Sequence, residues 1–183
     1  LHAVPNWVAL LRGINVSGQK PIPMERLRGS FAAMGFRGIK TYVQSGNVVF
    51  ETATNTRDAL TRKIEEGIRC DFGFSVVVIL RTEKELEKIV KTNPFLNEEA
   101  IEQAKLHVTF LAKPPNKTAL KNLETLPTSP DRFRLIGCEI YLHCPNGYGR
   151  TKLSNSAFEK KLSVGATTRN WKTTTVLCEM AVD

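Results

Sequence analysis

Four segments combine the residue types that recognise anions. In the first, Arg12-Gly13-Ile14-Asn15-Val16-Ser17-Gly18-Gln19-Lys20, two glycines allow backbone N–H groups to converge on a negative charge, with a cation at either end. The candidate ligand-binding residues here are Arg12, Asn15, Ser17 and Gly18. A helix expected just beyond adds the partial positive charge of its N-terminus. The spacing is neither G-x-x-x-x-G-K-S/T nor G-x-G-x-x-G, so no standard nucleotide-hydrolase or dinucleotide loop is indicated. The competing reading is a structural turn fixed by hydrogen bonds of Asn15.

The second segment is Gln44-Ser45-Gly46-Asn47, where Gln44, Ser45 and Asn47 offer donors and acceptors to a ligand or close a self-satisfied hairpin. The third runs from Asn146 to Leu153 and supplies Arg150, Thr151 and Lys152. The fourth, from Gly165 to Trp171, supplies Thr168, Arg169, Asn170 and Trp171. Cations, hydroxyls and an aromatic in two short stretches suit phosphate contact together with stacking on a flat ring.

Charge supports an anionic partner. The 183 residues carry a net +8, and between Arg132 and Lys172 eight cations face only Glu139 and Glu159. A basic surface that serves only solubility is the plainer alternative. Cys70, Cys138, Cys144 and Cys178 show no zinc-ligand spacing, so reduced thiols are expected. His107 and His143 lack a carboxylate partner for a metal, and His2 lies in the loose start. No G-x-S-x-G setting surrounds Ser45. Neither metal nor cofactor is expected. No apolar run approaches the ~20 residues of a membrane span, and Leu1 to Asn6 lack a signal-peptide layout. The expectation is a soluble, cytoplasmic protein without a membrane partner, its native start left open by Leu1 in place of Met.

These segments need elements to hold them. Trp7 to Gly13 is a continuous apolar run, the pattern of a strand buried on both faces. Met24, Leu27, Phe31 and Met34 mark a helical face ended by Gly35. Lys40 to Gln44 and Val48 to Glu51 read as a hairpin. A helix capped by Asn55 carries Leu60, Ile64 and Ile68, and Ser75 to Leu80 returns as a strand. Thr82 and Glu85 form a capping box for a short helix bearing Leu86, Ile89 and Val90, which leads to Asn93-Pro94-Phe95. The order then begins again: a strand at Leu106 to Leu111, a helix capped near Asn116, strands at Arg132 to Ile136 and Glu139 to His143, and a helix with Ser156 and Glu159 as its capping box. A last helix from Asn170 turns Val176, Leu177 and Met180 inward, although Thr173, Thr174 and Thr175 favour strand.

The expected fold class is therefore α+β: two ferredoxin-like βαββαβ-type half-domains with a C-terminal helix, divided as 1–91, a linker at 92–104, and 105–183. Ligands are expected on the exposed sheet faces or the seam between halves.

Arg12 to Gly18, Thr41 to Phe50, Asn93-Pro94-Phe95, Gly149 to Leu153 and Ala166 to Trp171 together resemble the bacterial domain-of-unknown-function family sixteen ninety-seven. The resemblance spans nearly the whole chain and implies a two-part ferredoxin-like fold, with no established activity, substrate or catalytic residue. Ser17 stands where that family carries the first glycine of a pair, and Thr151 where it usually carries serine.

The functional reading is a binding protein for a phosphate-bearing ligand, a nucleotide-like molecule preferred over single-stranded nucleic acid because Tyr42, Phe110 and Tyr141 do not make an RNA-binding strand pair. One alternative is an enzyme on a phosphorylated substrate, with Arg12, Arg150, Lys152 and Arg169 as charge stabilisers and only Glu51 or Glu159 as acidic candidates. Another is an interaction module that pairs through a sheet edge.

Overall fold

The computed structural model describes residues 4–53 and 56–183. Its elements run β1 (Asn6–Leu11), α1 (Met24–Ala33), β2 (Arg37–Thr41), β3 (Asn47–Glu51), α2 (Arg57–Phe72), β4 (Val78–Thr82), α3 (Glu83–Lys91), β5 (Leu106–Leu111), α4 (Lys117–Asn122), β6 (Arg132–Ile136), β7 (Glu139–His143), α5 (Asn155–Leu162), β8 (Ala166–Asn170) and α6 (Trp171–Val182). Two four-stranded antiparallel sheets result, ordered β2-β3-β1-β4 and β6-β7-β5-β8. Each is a βαββαβ unit, the ferredoxin-like fold. Contacts divide the chain into one unit that runs to Glu87 and includes Val176–Asp183, and another of Lys88–Thr175. Residues 92–104, read from sequence as a linker, belong to the second unit.

In the first unit, Leu27, Phe31, Leu60, Ile64 and Ile68 of α1 and α2 pack on Trp7, Ala9, Leu11, Val48 and Phe50 of one sheet face. Phe31, Phe36 and Phe50 form an aromatic triad with centroids 4.7 to 5.7 Å apart. Full burial of each such side chain contributes about 1.5–3 kcal/mol. The second unit repeats the plan, with Phe158 and Leu162 of α5 set against Leu111, Ile140, Leu142 and Ala166.

The expectation of an open sheet face is corrected. Val8, Leu10, Val49 and Ile79, on the face away from the helices, are at most 2% exposed, as are Leu106, Val108, Phe110 and Tyr141. The continuous apolar run of β1 requires this, because alternate side chains point to opposite faces and both sets are apolar; in β5 the set away from the helices, Leu106, Val108 and Phe110, is wholly apolar although His107 and Thr109 interrupt the other. The halves also share a buried arginine. Arg81 lies opposite Val8 and Arg169 opposite Val108, and each guanidinium Nη1 donates to the carbonyl of the preceding residue, Leu80 at 2.8 Å and Thr168 at 2.9 Å.

Several boundaries differ from the sequence reading. The strand expected at Lys40 to Gln44 is Arg37–Thr41, and that at Ser75 to Leu80 is Val78–Thr82. β2 includes Gly38, a residue depleted in strands, and its partner β3 supplies the ladder. The α5 cap is Ser154, which accepts from Ala157 N at 3.2 Å, while Glu159 Oε1 accepts from Ala166 N. The Ser156–Glu159 box is therefore corrected. The Asn55 cap lies outside the described residues. β8 had no counterpart in the sequence reading, because Ala166-Thr167-Thr168-Arg169-Asn170 lacks an apolar run. α6 forms despite its threonines: Thr174 and Thr175 hydroxyls donate back to the carbonyls of Asn170 and Lys172. Its buried residues are Trp171, Thr173, Thr174, Leu177 and Ala181, so of the three expected inward only Leu177 is fully buried, with Val176 and Met180 half-buried. The Thr82–Glu85 box of α3 is present in both directions.

Candidate functional site

The first candidate loop is a small hairpin. Val16 pairs with Gln19, and Ser17 and Gly18 between them have φ of 50° and 73°. Two successive positive φ values are what a two-residue turn of this twist demands, and Gly18 adopts its value without strain. Asn15 fastens the hairpin. Its Nδ2 donates to Ile22 O at 2.9 Å and to Gln44 O at 2.8 Å, and its Oδ1 accepts from Ile22 N at 2.7 Å. The N–H groups of Asn15 and Gln19 bond to Lys20 O and Val16 O. These bonds favour the structural reading of Asn15.

The second segment follows the same logic. Asn47 is wholly buried and donates to Tyr42 O and Ser45 Oγ, each at 2.9 Å. Gly46 is required: a Cβ there would lie 2.8 Å from Leu11 Cβ and from Ile14 Cδ1. Gln44 and Ser45 are exposed and Arg12 half-buried.

The candidates of the second unit gather at one end of its sheet, where β5 begins and β6, β7 and β8 have their outer termini. A single 3-10 turn (Tyr148–Arg150) leads into Thr151, whose hydroxyl donates to Asp131 Oδ2 at 2.6 Å and accepts from Leu153 N. Arg150 and Lys152 project into solvent on either side. Tyr148 stacks on His107 with centroids 4.8 Å apart, and His107 lies opposite Asn170 in the β5–β8 ladder. Burial pushes the His107 pKa down, which keeps that ring neutral at pH 7. Thr168 donates to Asn155 Oδ1 at 2.6 Å and meets Thr109 Oγ1 at 2.7 Å. Arg169 is only 7% exposed and bonds Thr167 Oγ1, and burial pushes its guanidinium down to about 10. It is a sheet residue, not a surface cation.

Asn170 Oδ1 accepts from Thr173 N at 2.7 Å and so caps α6. Beside that helix start lies a cleft of about 410 Å³ lined by Gln103, Ala104, Asn170, Trp171, Lys172 and Thr175. Sequence reasoning named Asn170 and Trp171 and missed the other four. Lys172 was visible as charge, but Gln103, Ala104 and Thr175 reach the cleft only through the β5–β8 pairing and the turn of α6.

Chemically the cleft offers a cation, a helix N-terminus, two amides and a hydroxyl, while Trp171, expected to be open for stacking, is only 5% exposed and belongs mainly to the core. It holds no evident base or nucleophile. Cys144 is buried beneath Thr151, and burial pushes its thiol up to about 11. His107 faces the helices and His143 the other side, since His143 pairs with Leu106 and His107 with Leu142. The two rings therefore do not converge. Among the described residues no group of three or more His, Cys, Asp or Glu side chains is placed to hold a metal ion, and no helix is long and apolar enough to cross a membrane.

Comparison with known proteins bears on the fold. The structure of a conserved bacterial protein, SP0830, from Streptococcus pneumoniae is similar, with a TM-score of 0.74 and 19% sequence identity over 98% of this chain and 99% of that one. No curated protein matches. A family model described as a protein of unknown function (DUF1697) matches residues 4–141, which cover β1 through most of β7. With three-quarters of its length so matched, and the two antiparallel half-domains just described, the chain belongs to the DUF1697 family of proteins of unknown function.

Proposed function

We propose that this protein binds a small phosphate-bearing molecule with a flat ring, of nucleotide-like class, and does so in the cytoplasm without catalysing its turnover. The observation that supports the reading is the cleft at the start of α6, where Lys172 and the helix N-terminus favour negative charge and Trp171, though only 5% exposed, is among the lining residues. Arg150 and Lys152 add positive field at the same end of the sheet. A binding role fits better than catalysis because the only buried thiol nearby is held protonated and the neighbouring carboxylate, Asp131, is engaged by Thr151. A cytoplasmic setting accords with four cysteines that form no disulfide.

The test is thermal unfolding at low salt with inorganic phosphate, adenosine monophosphate, ribose 5-phosphate and a short oligonucleotide. Adenosine monophosphate at a hundred times its Kd should stabilise the native state by about 2.7 kcal/mol. Lys172→Ala should weaken that binding about tenfold, as loss of one charge-assisted contact does. Stabilisation by the oligonucleotide alone, collapsing as salt is added, would replace this reading with backbone-driven nucleic-acid binding. Consumption of any nucleotide probe would replace it with the enzyme reading.

A further inference from the structure

The two halves share one topology, so where one exceeds the other it carries more than the fold needs. At the end of the first sheet where β1 stops, three connections meet: residues 12–23, 42–46 and 73–77. Their counterparts in the second half, residues 112–116, 137–138 and 163–165, are all shorter. The three long loops are tied together. Asn15 Nδ2 donates to Gln44 O at 2.8 Å, Arg12 N to Val77 O at 3.0 Å, and Lys20 Nζ to Ser75 O at 2.8 Å.

Each loop then presents one valine to solvent. Val16, Val43 and Val77 are 57%, 49% and 41% exposed, three of the eight large apolar side chains that stand exposed among the described residues. Val43 is also held at φ 50°, a costly backbone for a β-branched residue, and one found where a loop is shaped for use rather than for packing. An apolar surface does not recruit a small anion, and two of the loop N–H groups that would serve one are already engaged.

Charge selects the occupant. The three loops contain Arg12 and Lys20 and no aspartate or glutamate. Glu65 and Glu66, which share a depression with Ser75 and Val76, are engaged by Val78 N and Arg69. A second copy of the chain would set this cationic surface against itself, because a two-fold interface pairs like with like. We propose that the Val16–Val43–Val77 platform docks an acidic segment of a partner protein, whose apolar side chains cover the valines and whose carboxylates meet the field of Arg12 and Lys20.

The probes are three fluorescein-labelled peptides of equal length, one alternating Leu with Glu, one Leu with Lys and one Gly with Glu, titrated by anisotropy onto the intact protein at low salt. The Leu–Glu peptide should bind and shift the methyl resonances of Val16, Val43 and Val77. Val16→Ser and Val43→Asn should each weaken it at least about fivefold. Asparagine tolerates positive φ, so the second variant should melt no lower than the parent while losing affinity. Lys117→Ala, which removes a cation of α4 outside the platform, should leave binding unchanged. Equal binding of the Leu–Lys or Gly–Glu peptide, or binding that leaves the valine methyls unmoved, overturns the proposal. Self-association abolished by Val43→Asn also overturns it, in favour of a second copy.

Discussion

Replacing Asn15 with alanine separates a structural loop from a ligand loop. The side chain makes three hydrogen bonds: to Ile22 O and from Ile22 N, both half-buried, and to Gln44 O at the surface. The two half-buried bonds contribute about 0.5–1.5 kcal/mol each, and the exposed one less. Alanine at φ 53° adds about 1 kcal/mol, because its Cβ crowds the backbone there. The expected loss is thus about 2–4 kcal/mol. Asn15→Gly relieves the backbone and forfeits only the bonds, so it should cost about 1 kcal/mol less than alanine. Urea unfolding at pH 7 measures both, and amide exchange should show Ile22 N–H losing protection first in the native state. A loss under about 0.5 kcal/mol for Asn15→Ala would refute the structural assignment, and so would equal losses for the two variants. Weaker phosphate affinity at unchanged stability would restore the loop as an anion site.

Two further outcomes follow from the titrating groups. Burial works against the Glu85 carboxylate, but bonds from Arg57 and Thr82 outweigh it and hold the folded pKa below the ordinary glutamate value. Its contribution is therefore complete above the unfolded pKa and is lost as pH falls through the folded one. With side chains 36% and 39% exposed, the Arg57–Glu85 pair contributes less than about 1 kcal/mol. Glu85→Gln, which keeps an acceptor for Thr82 N, should melt below the parent at pH 7, with the gap narrowing as pH falls below the ordinary glutamate range; a gap that does not narrow in acid would refute the assignment. Exposed Cys70 should be alkylated by iodoacetamide first and Cys144, buried with its thiol near 11, only on unfolding, as read by mass spectrometry. Comparable native rates would show that the loop around Thr151 opens.

The fold was legible wherever apolar spacing was strong. β5, β6 and β7 fall at the residues the sequence indicated, and the faces of α1 and α2 carry the expected Leu27, Phe31, Leu60, Ile64 and Ile68, because periodic burial writes itself into residue type. β8 was not legible: threonines and a single arginine become strand only when β5 supplies the ladder.

The sequence alone therefore determined the α+β class, the βαββ order in both halves and the basic excess of the last third, each a matter of local pattern or composition. Tertiary structure decided the rest. It made Asn15 and Asn47 into fasteners by supplying distant carbonyls, and it buried Arg169 by pairing its strand beside Val108. It also set Gln103, Lys172 and Thr175 around one cleft, because strand pairing joins residues far apart in the chain.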